Sequence, residues 1–123
     1  MKKNILFTIA GLILFLAVIF FLKYPPQTDK SNQFNPAAKT LCESAVSYME
    51  KGDFTIAIEN LKKAIKIDPR YPKPEYALAV CYLRMEPPDL NAAKEHYEKS
   101  KGLGYHPPEW FERHLRKLEG KEK

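Results

Sequence analysis

The stretch from Tyr48 to Pro69 reads Tyr-Met-Glu-Lys-Gly-Asp-Phe-Thr-Ile-Ala-Ile-Glu-Asn-Leu-Lys-Lys-Ala-Ile-Lys-Ile-Asp-Pro, and it constrains this chain more than any other. It encodes the end of one helix, a tight turn at Gly52-Asp53, and a second helix stopped at Asp68-Pro69. The residue before a proline is driven out of the helical region, so the stop is sharp. Ala57 and Ala64 lie seven apart on one face of the second helix, where their small side chains let another helix approach closely. Part of the pattern recurs, because Leu78, Ala79 and Tyr82 follow Ser44, Ala45 and Tyr48 at a spacing of 34. Such a period marks a helical repeat that hides its apolar face by stacking on its neighbours.

The run resembles a tetratricopeptide (TPR) repeat, matching at Ala45, Tyr48, Gly52, Asp53, Ala57, Leu61, Ala64 and Pro69. The first repeat covers about 38–71. It departs from the family at Leu41, which replaces an aromatic, and at Ser44, which replaces the usual Leu. The second repeat, about 72–105, diverges further. Asp89, Ala93, Tyr97 and Ser100 correspond to Asp53, Ala57, Leu61 and Ala64 at a spacing of 36. Two residues have therefore entered the turn at Met85-Glu-Pro-Pro88, the turn glycine is gone, and each proline fixes its own φ. The resemblance implies an all-α fold in which two TPR-like repeats and a capping helix form a short helical-hairpin stack. It also implies a role in binding proteins rather than in catalysis.

Apolar periodicity places the helices. The first runs from Pro36 or Ala37 to Glu50 behind an Asn35 cap, with Leu41, Cys42, Ala45, Val46, Tyr48 and Met49 as its apolar set. The second follows Asp53 as cap and ends at Ile67. Tyr76 to Leu83 are eight apolar residues in a row, read as the centre of a third helix over Pro74 to Met85. A fourth runs from Asp89 to Lys101. A capping helix over about 108–119 starts at Pro107-Pro108-Glu109, with Trp110, Phe111, His114, Leu115 and Leu118 expected on its covered face. The TPR-like domain is expected over 37–119, with a disordered tail over 120–123. Some 85 residues support only a small core, so marginal stability and help from a partner or a second copy are expected.

Ahead of this domain, Ile5 to Leu22 form 18 consecutive residues without charge, after Lys2 and Lys3 and before Lys23. Eighteen residues at about 1.5 Å rise span roughly 27 Å, near the thickness of a bilayer's hydrocarbon core. The expectation is an uncleaved transmembrane helix over 5–22, after an N-terminal tail over 1–4 and before a linker over 23–36. Basic residues ahead of the run place the N-terminus in the cytoplasm and the helical domain outside it, in a bacterial inner-membrane and periplasmic setting. Phe34 in the linker is expected to pack on the first helix.

The formal charge of +5 does not make this a nucleic-acid binder. Lys2, Lys3 and Lys23 carry three of those charges, and the remainder is nearly balanced. Lys62, Lys63 and Lys66 lie within a turn or two of Glu59, as on a solvated helix face. Cys42 and Cys81 sit among apolar residues and read as small buried hydrophobes. A disulfide between them is an alternative, and no CxxC spacing marks a redox pair. His96, His106 and His114 follow no metal-ligand spacing, and His114 reads as a core histidine. Ser31, Ser44, Ser47 and Ser100 lack any nucleophile context, and no glycine loop cradles a phosphate. No enzyme, cofactor or metal site is expected.

What remains is a binding surface. In the TPR family, ligands lie along the groove lined by the first helix of each repeat. Carried over, that implies Lys39, Cys42, Glu43, Val46, Met49 and Glu50 from the first repeat. From the second it implies Lys73, Tyr76, Ala77, Val80 and Arg84. Cys42 and Val46 stand where a carboxylate clamp needs polar groups, so the expected ligand is an extended or helical peptide segment on a mixed apolar groove. The expected function is a membrane-anchored scaffold or adaptor for protein–protein interaction in an envelope assembly or secretion process. Two alternatives stay open: a cytosol-facing receptor for targeting segments, and a thiol-redox or metal-handling protein using Cys42 and Cys81. The partner is a protein or peptide, not a nucleic acid, with homo-oligomerisation an open question.

Overall fold

The computed structural model describes residues 2–24 and 33–121, with residues 2–7 described through their backbone alone. Among the described residues there are six α-helices and no strand. They are α1 (Lys2–Lys23), α2 (Pro36–Glu50), α3 (Phe54–Ile67), α4 (Pro72–Arg84), α5 (Leu90–Gly102) and α6 (Glu109–Leu118). The chain divides into two compact units, 1–30 and 31–123. The all-α expectation holds, and α2 to α6 are consistent with a TPR helical stack. Met1, residues 25–32 of the expected linker and residues 122–123 of the expected tail lie outside the described residues.

The transmembrane expectation for 5–22 is corrected. Among the described residues, no helix is long and apolar enough to cross a membrane. The described apolar side chains of α1 run from Thr8 to Leu22, all exposed. The single-pass, extracytoplasmic placement built on that span falls with it, and so does the ground for an envelope or secretion setting.

In the second unit, α2 packs on α3 and α4 on α5 as hairpins, α3 packs on α4, α2 reaches α4, and α6 lies against α5. Alanine decides this closeness. Ala38, Ala45, Ala57, Ala64, Ala79 and Ala93 are all fully buried where helices meet. Leu61, Leu78, Cys81 and Phe111 fill the space between them. One Ala position of the first hairpin carries a larger group in the second. Ser100 stands for Ala64 and satisfies its buried hydroxyl by donating to the Tyr97 carbonyl at 2.7 Å.

Helix ends follow local chemistry. Asn35 caps α2, its Oδ1 accepting from the Ala37 N–H at 2.9 Å, and Pro36 takes the first helical position. Past α2, Gly52 has φ +82°, which only glycine adopts without steric cost. Gly52 N–H then donates to the Met49 carbonyl and Asp53 N–H to the Tyr48 carbonyl, a Schellman motif. The same motif closes α5 at Gly104-Tyr105 and α6 at Gly120-Lys121, so the structure places the first two residues of the expected disordered tail in a helix cap.

Asp68, before Pro69, turns from helix stop to latch. It is buried, and its carboxylate accepts from the Asn35 N–H at 2.9 Å and the Arg70 N–H at 3.2 Å, tying the start of α2 to the α3–α4 turn. Phe34 stacks beside that latch on Tyr71, with ring centroids 4.8 Å apart, and packs against the core cluster.

On α6 the expected covered face is divided. Phe111 and Leu115 are buried, whereas Trp110, His114 and Leu118 are exposed. The helix is seated by this single i, i+4 pair, with Phe111 against Tyr97 of α5 and Tyr76 of α4. His114 is a surface histidine. His96 is the partly buried one, its Nδ1 2.6 Å from the Oε2 of buried Glu75 and its ring stacked on Tyr82.

Candidate protein-binding groove

Residues on one face of α2 and one face of α4 meet across a concave, apolar groove of about 330 Å³. Cys42, Val46 and Met49 come from α2, one turn apart along the helix. Lys73, Tyr76, Ala77 and Val80 come from α4 with the same periodicity. Seven of the eleven residues named from the resemblance therefore share one surface. Lys39, Glu43, Glu50 and Arg84 lie outside its lining. Arg84 turns toward the other hairpin, its guanidinium 5.8 Å from the centre of the Phe54 ring at the start of α3.

Two residues close the groove that the sequence reading assigned elsewhere, Tyr105 and Trp110. Tyr105 is brought back by the cap that ends α5, and its ring lies 5.0 Å from that of Tyr76. Trp110 is held by its neighbour. Phe111 is buried and stacks on Tyr97 at 4.6 Å and 8°, and the Tyr97 hydroxyl donates to Glu112 Oε1 at 2.6 Å. That double attachment sets the rotation of α6, and Trp110, about 100° round the helix, faces the groove. A signal for this was present. Adjacent residues on a helix point about 100° apart, so Trp110 and Phe111 face different neighbours where only one side of α6 is covered.

The groove is reachable. Val46 is 42% exposed and Trp110 43% exposed, large values for apolar side chains flanking a concavity. Its electrostatics are simple, because Lys73 is the one charged residue in its lining. Burial pushes the Cys42 thiol up, while the Tyr71 hydroxyl and the Lys73 ammonium pull the other way. Burial, with Tyr105 nearby, pushes the Tyr76 hydroxyl up to about 12. Tyr71 is pushed up to about 12 by burial first and Cys42 second. Near neutral pH the groove thus presents the neutral Cys42 thiol and the neutral Tyr76 phenol.

Elsewhere the chemistry is sparse. A wider, more polar depression of about 640 Å³ lies at the α4–α5 turn around Pro87 and Pro88. It is larger but lacks a continuous apolar floor. Cys81 is buried and free, as is Cys42, and burial holds the Cys81 thiol at about 12. A thiolate is the reactive form, so neither site favours thiol chemistry. Among the described residues no group of three His, Cys, Asp or Glu is arranged to hold a metal ion.

The fold and groove together define a short helical-hairpin module. A family model for the TPR repeat matches residues 47–86, from the last turn of α2 to the α4–α5 turn. The match supports the TPR family, and through it a protein–protein interaction scaffold, typically a non-enzymatic module. No curated protein and no solved structure matches the chain.

Proposed function

We propose that residues 37–119 act as a TPR-like adaptor, built of repeats over about 38–71 and 72–105 with a capping helix over about 108–119. Its groove holds a segment of a partner protein. The occupant is a peptide segment, helical or extended, that inserts a bulky apolar side chain between α2 and α4. One observation carries this reading. An open concavity lined by Val46, Met49, Tyr76, Val80 and Trp110 offers apolar surface that the described residues of the second unit leave uncovered. Ala77 and Cys42 keep its floor low enough for such a side chain to enter. Lys39, Glu43, Glu50 and Arg84 are proposed to act, where they act at all, as flanking contacts beyond the lining.

The chain reports on its own groove, because Trp110 is its single tryptophan. Occupancy should shift Trp110 emission to shorter wavelength in the full chain. Val46→Glu places a charge on an exposed lining position without disturbing the buried core, and should abolish the shift. Unchanged binding by Val46→Glu would sink the groove as the site. A second copy of the chain is the other occupant, and sedimentation of the wild type against Val46→Glu separates it.

A further inference from the structure

The groove continues into a cationic hollow on α6. Trp110 lines both, and the hollow is completed by Arg113, His114 and Lys117. These residues stand at i, i+3, i+4 and i+7, one face of the helix. Three other cations of α5 and α6 are occupied. Arg116 faces Glu112 at 3.9 Å, Lys101 pairs with Glu98 at 3.0 Å, and Lys99 pairs with Glu95 at 2.6 Å. Among the described residues, Arg113, Lys117 and Lys73 make no ion pair with a carboxylate. An apolar slot is therefore followed, past one aromatic wall, by cations that no carboxylate of the described residues pairs.

We propose that the partner segment is acidic beside its apolar anchor, with Asp or Glu side chains placed within a turn or two of it to meet Arg113 and Lys117. Lys73 faces a further carboxylate at the opposite side of the anchor. This rests on the reading of the groove as a docking site and adds the charge of what docks. Arg113 offers a planar fork that matches a carboxylate, and Lys117 a point charge one turn further on. The acids are side-chain groups within the segment, so a free C-terminal carboxylate is not required. Opposite charges across an open rim act mainly on encounter rate and on the choice of partner.

The test uses the full chain and a phage-displayed random 12-residue peptide library. Enriched peptides should carry a large apolar residue with Asp or Glu following within four positions. Synthesised with an amidated C-terminus, they should still shift Trp110 emission. R113E/K117E should weaken them by about tenfold or more, and the loss should shrink in high salt. R113Q/K117Q should weaken them less, with unchanged thermal melting of both variants. Val46→Glu should abolish binding altogether. If Val46→Glu abolishes binding while R113E/K117E leaves it intact, the charge proposal fails and the groove stands. If Val46→Glu changes nothing, the groove reading fails first. A selected pool without excess Asp and Glu, an empty selection, or displacement of the peptides by single-stranded RNA at equal strength would each overturn the proposal.

Discussion

The two hairpins close the same loop in different ways. In the first, Lys51 and Gly52 separate α2 from Asp53, and Asp53 N–H donates to the Tyr48 carbonyl at 2.9 Å. In the second, Met85, Glu86, Pro87 and Pro88 separate α4 from Asp89, yet Asp89 N–H donates to the Tyr82 carbonyl at the same 2.9 Å. Tyr48 and Tyr82 are equivalent positions; the Tyr82 carbonyl has that donor at its helix end, and the Tyr48 carbonyl accepts from the Lys51 N–H at 3.1 Å as well. Glycine reaches it in two residues by adopting positive φ. Lacking glycine, the second turn leaves α4 through extended backbone at Met85, φ −67° and ψ 161°, and needs two more residues to return. The hydrogen bond is what the two turns share, and the residues between are one of several ways to make it.

Their cores differ too. Leu61 and Ala64 fill the first hairpin without help. Tyr97 and Ser100 replace them in the second, and the tyrosine needs a partner for its hydroxyl and its ring. Both come from α6, through Glu112 and Phe111. Helix α6 therefore belongs to the second hairpin energetically, and the groove wall at Trp110 depends on it.

Breaking that dependence should have the largest effect. Phe111→Ala should cost about 3–5 kcal/mol, as for a fully buried phenylalanine, read by urea denaturation. Leu61→Ala in the first hairpin should cost about 2–5 kcal/mol but leave Trp110 emission unchanged, whereas Phe111→Ala should alter it. A cost for Phe111→Ala below that of a surface substitution would detach α6 from the second hairpin.

The turns can be separated next. A Cβ at Gly52 would meet nothing within 4 Å, so Gly52→Ala isolates the backbone cost of positive φ. That cost should be about 1–2 kcal/mol, seen as a lowered urea midpoint. The helix caps then distinguish the two aspartates. Asp89 Oδ1 accepts from the Ala92 N–H at 2.9 Å, but the Asp53 side chain makes no cap bond. Asp89→Ala should cost about 1 kcal/mol, and Asp53→Ala only a few tenths. Equal losses would show that the turn backbone, not the side chain, dominates both.

The smallest contrast is with pH. Burial raises Cys81 from 9.0 to about 12, and Tyr76 from 10.0 to about 12. In alkali the unfolded chain loses these protons first, so it binds fewer protons than the folded chain and stability falls as pH rises. The loss should begin near pH 9, continue toward 12, and be absent below that window. Denaturation at a series of pH values should show a shallower slope for Cys81→Ala than for Cys42→Ala.

Much of the fold was legible because it depends on short-range terms. The caps at Asn35 and Asp89, the glycine at Gly52 and the stop at Asp68-Pro69 act within a few residues, so spacing alone reveals them. The apolar run of α1 was legible as a run, but not as a membrane span. The groove was half legible. Cys42, Val46 and Met49 share a face by helical periodicity, as do Tyr76, Ala77 and Val80, whatever surrounds them.

What the sequence by itself determined is therefore the set of helices, their ends and the faces along each. Only the tertiary structure decided which faces meet. Periodicity orders residues around a helix axis but carries no information on its rotation against a neighbour. That rotation is set by contacts between distant residues, such as Phe111 on Tyr97 and Glu112 on the Tyr97 hydroxyl. Those contacts turned Trp110 into the groove and left His114 in solvent, and the Glu75–His96 pair likewise joined residues 21 positions apart.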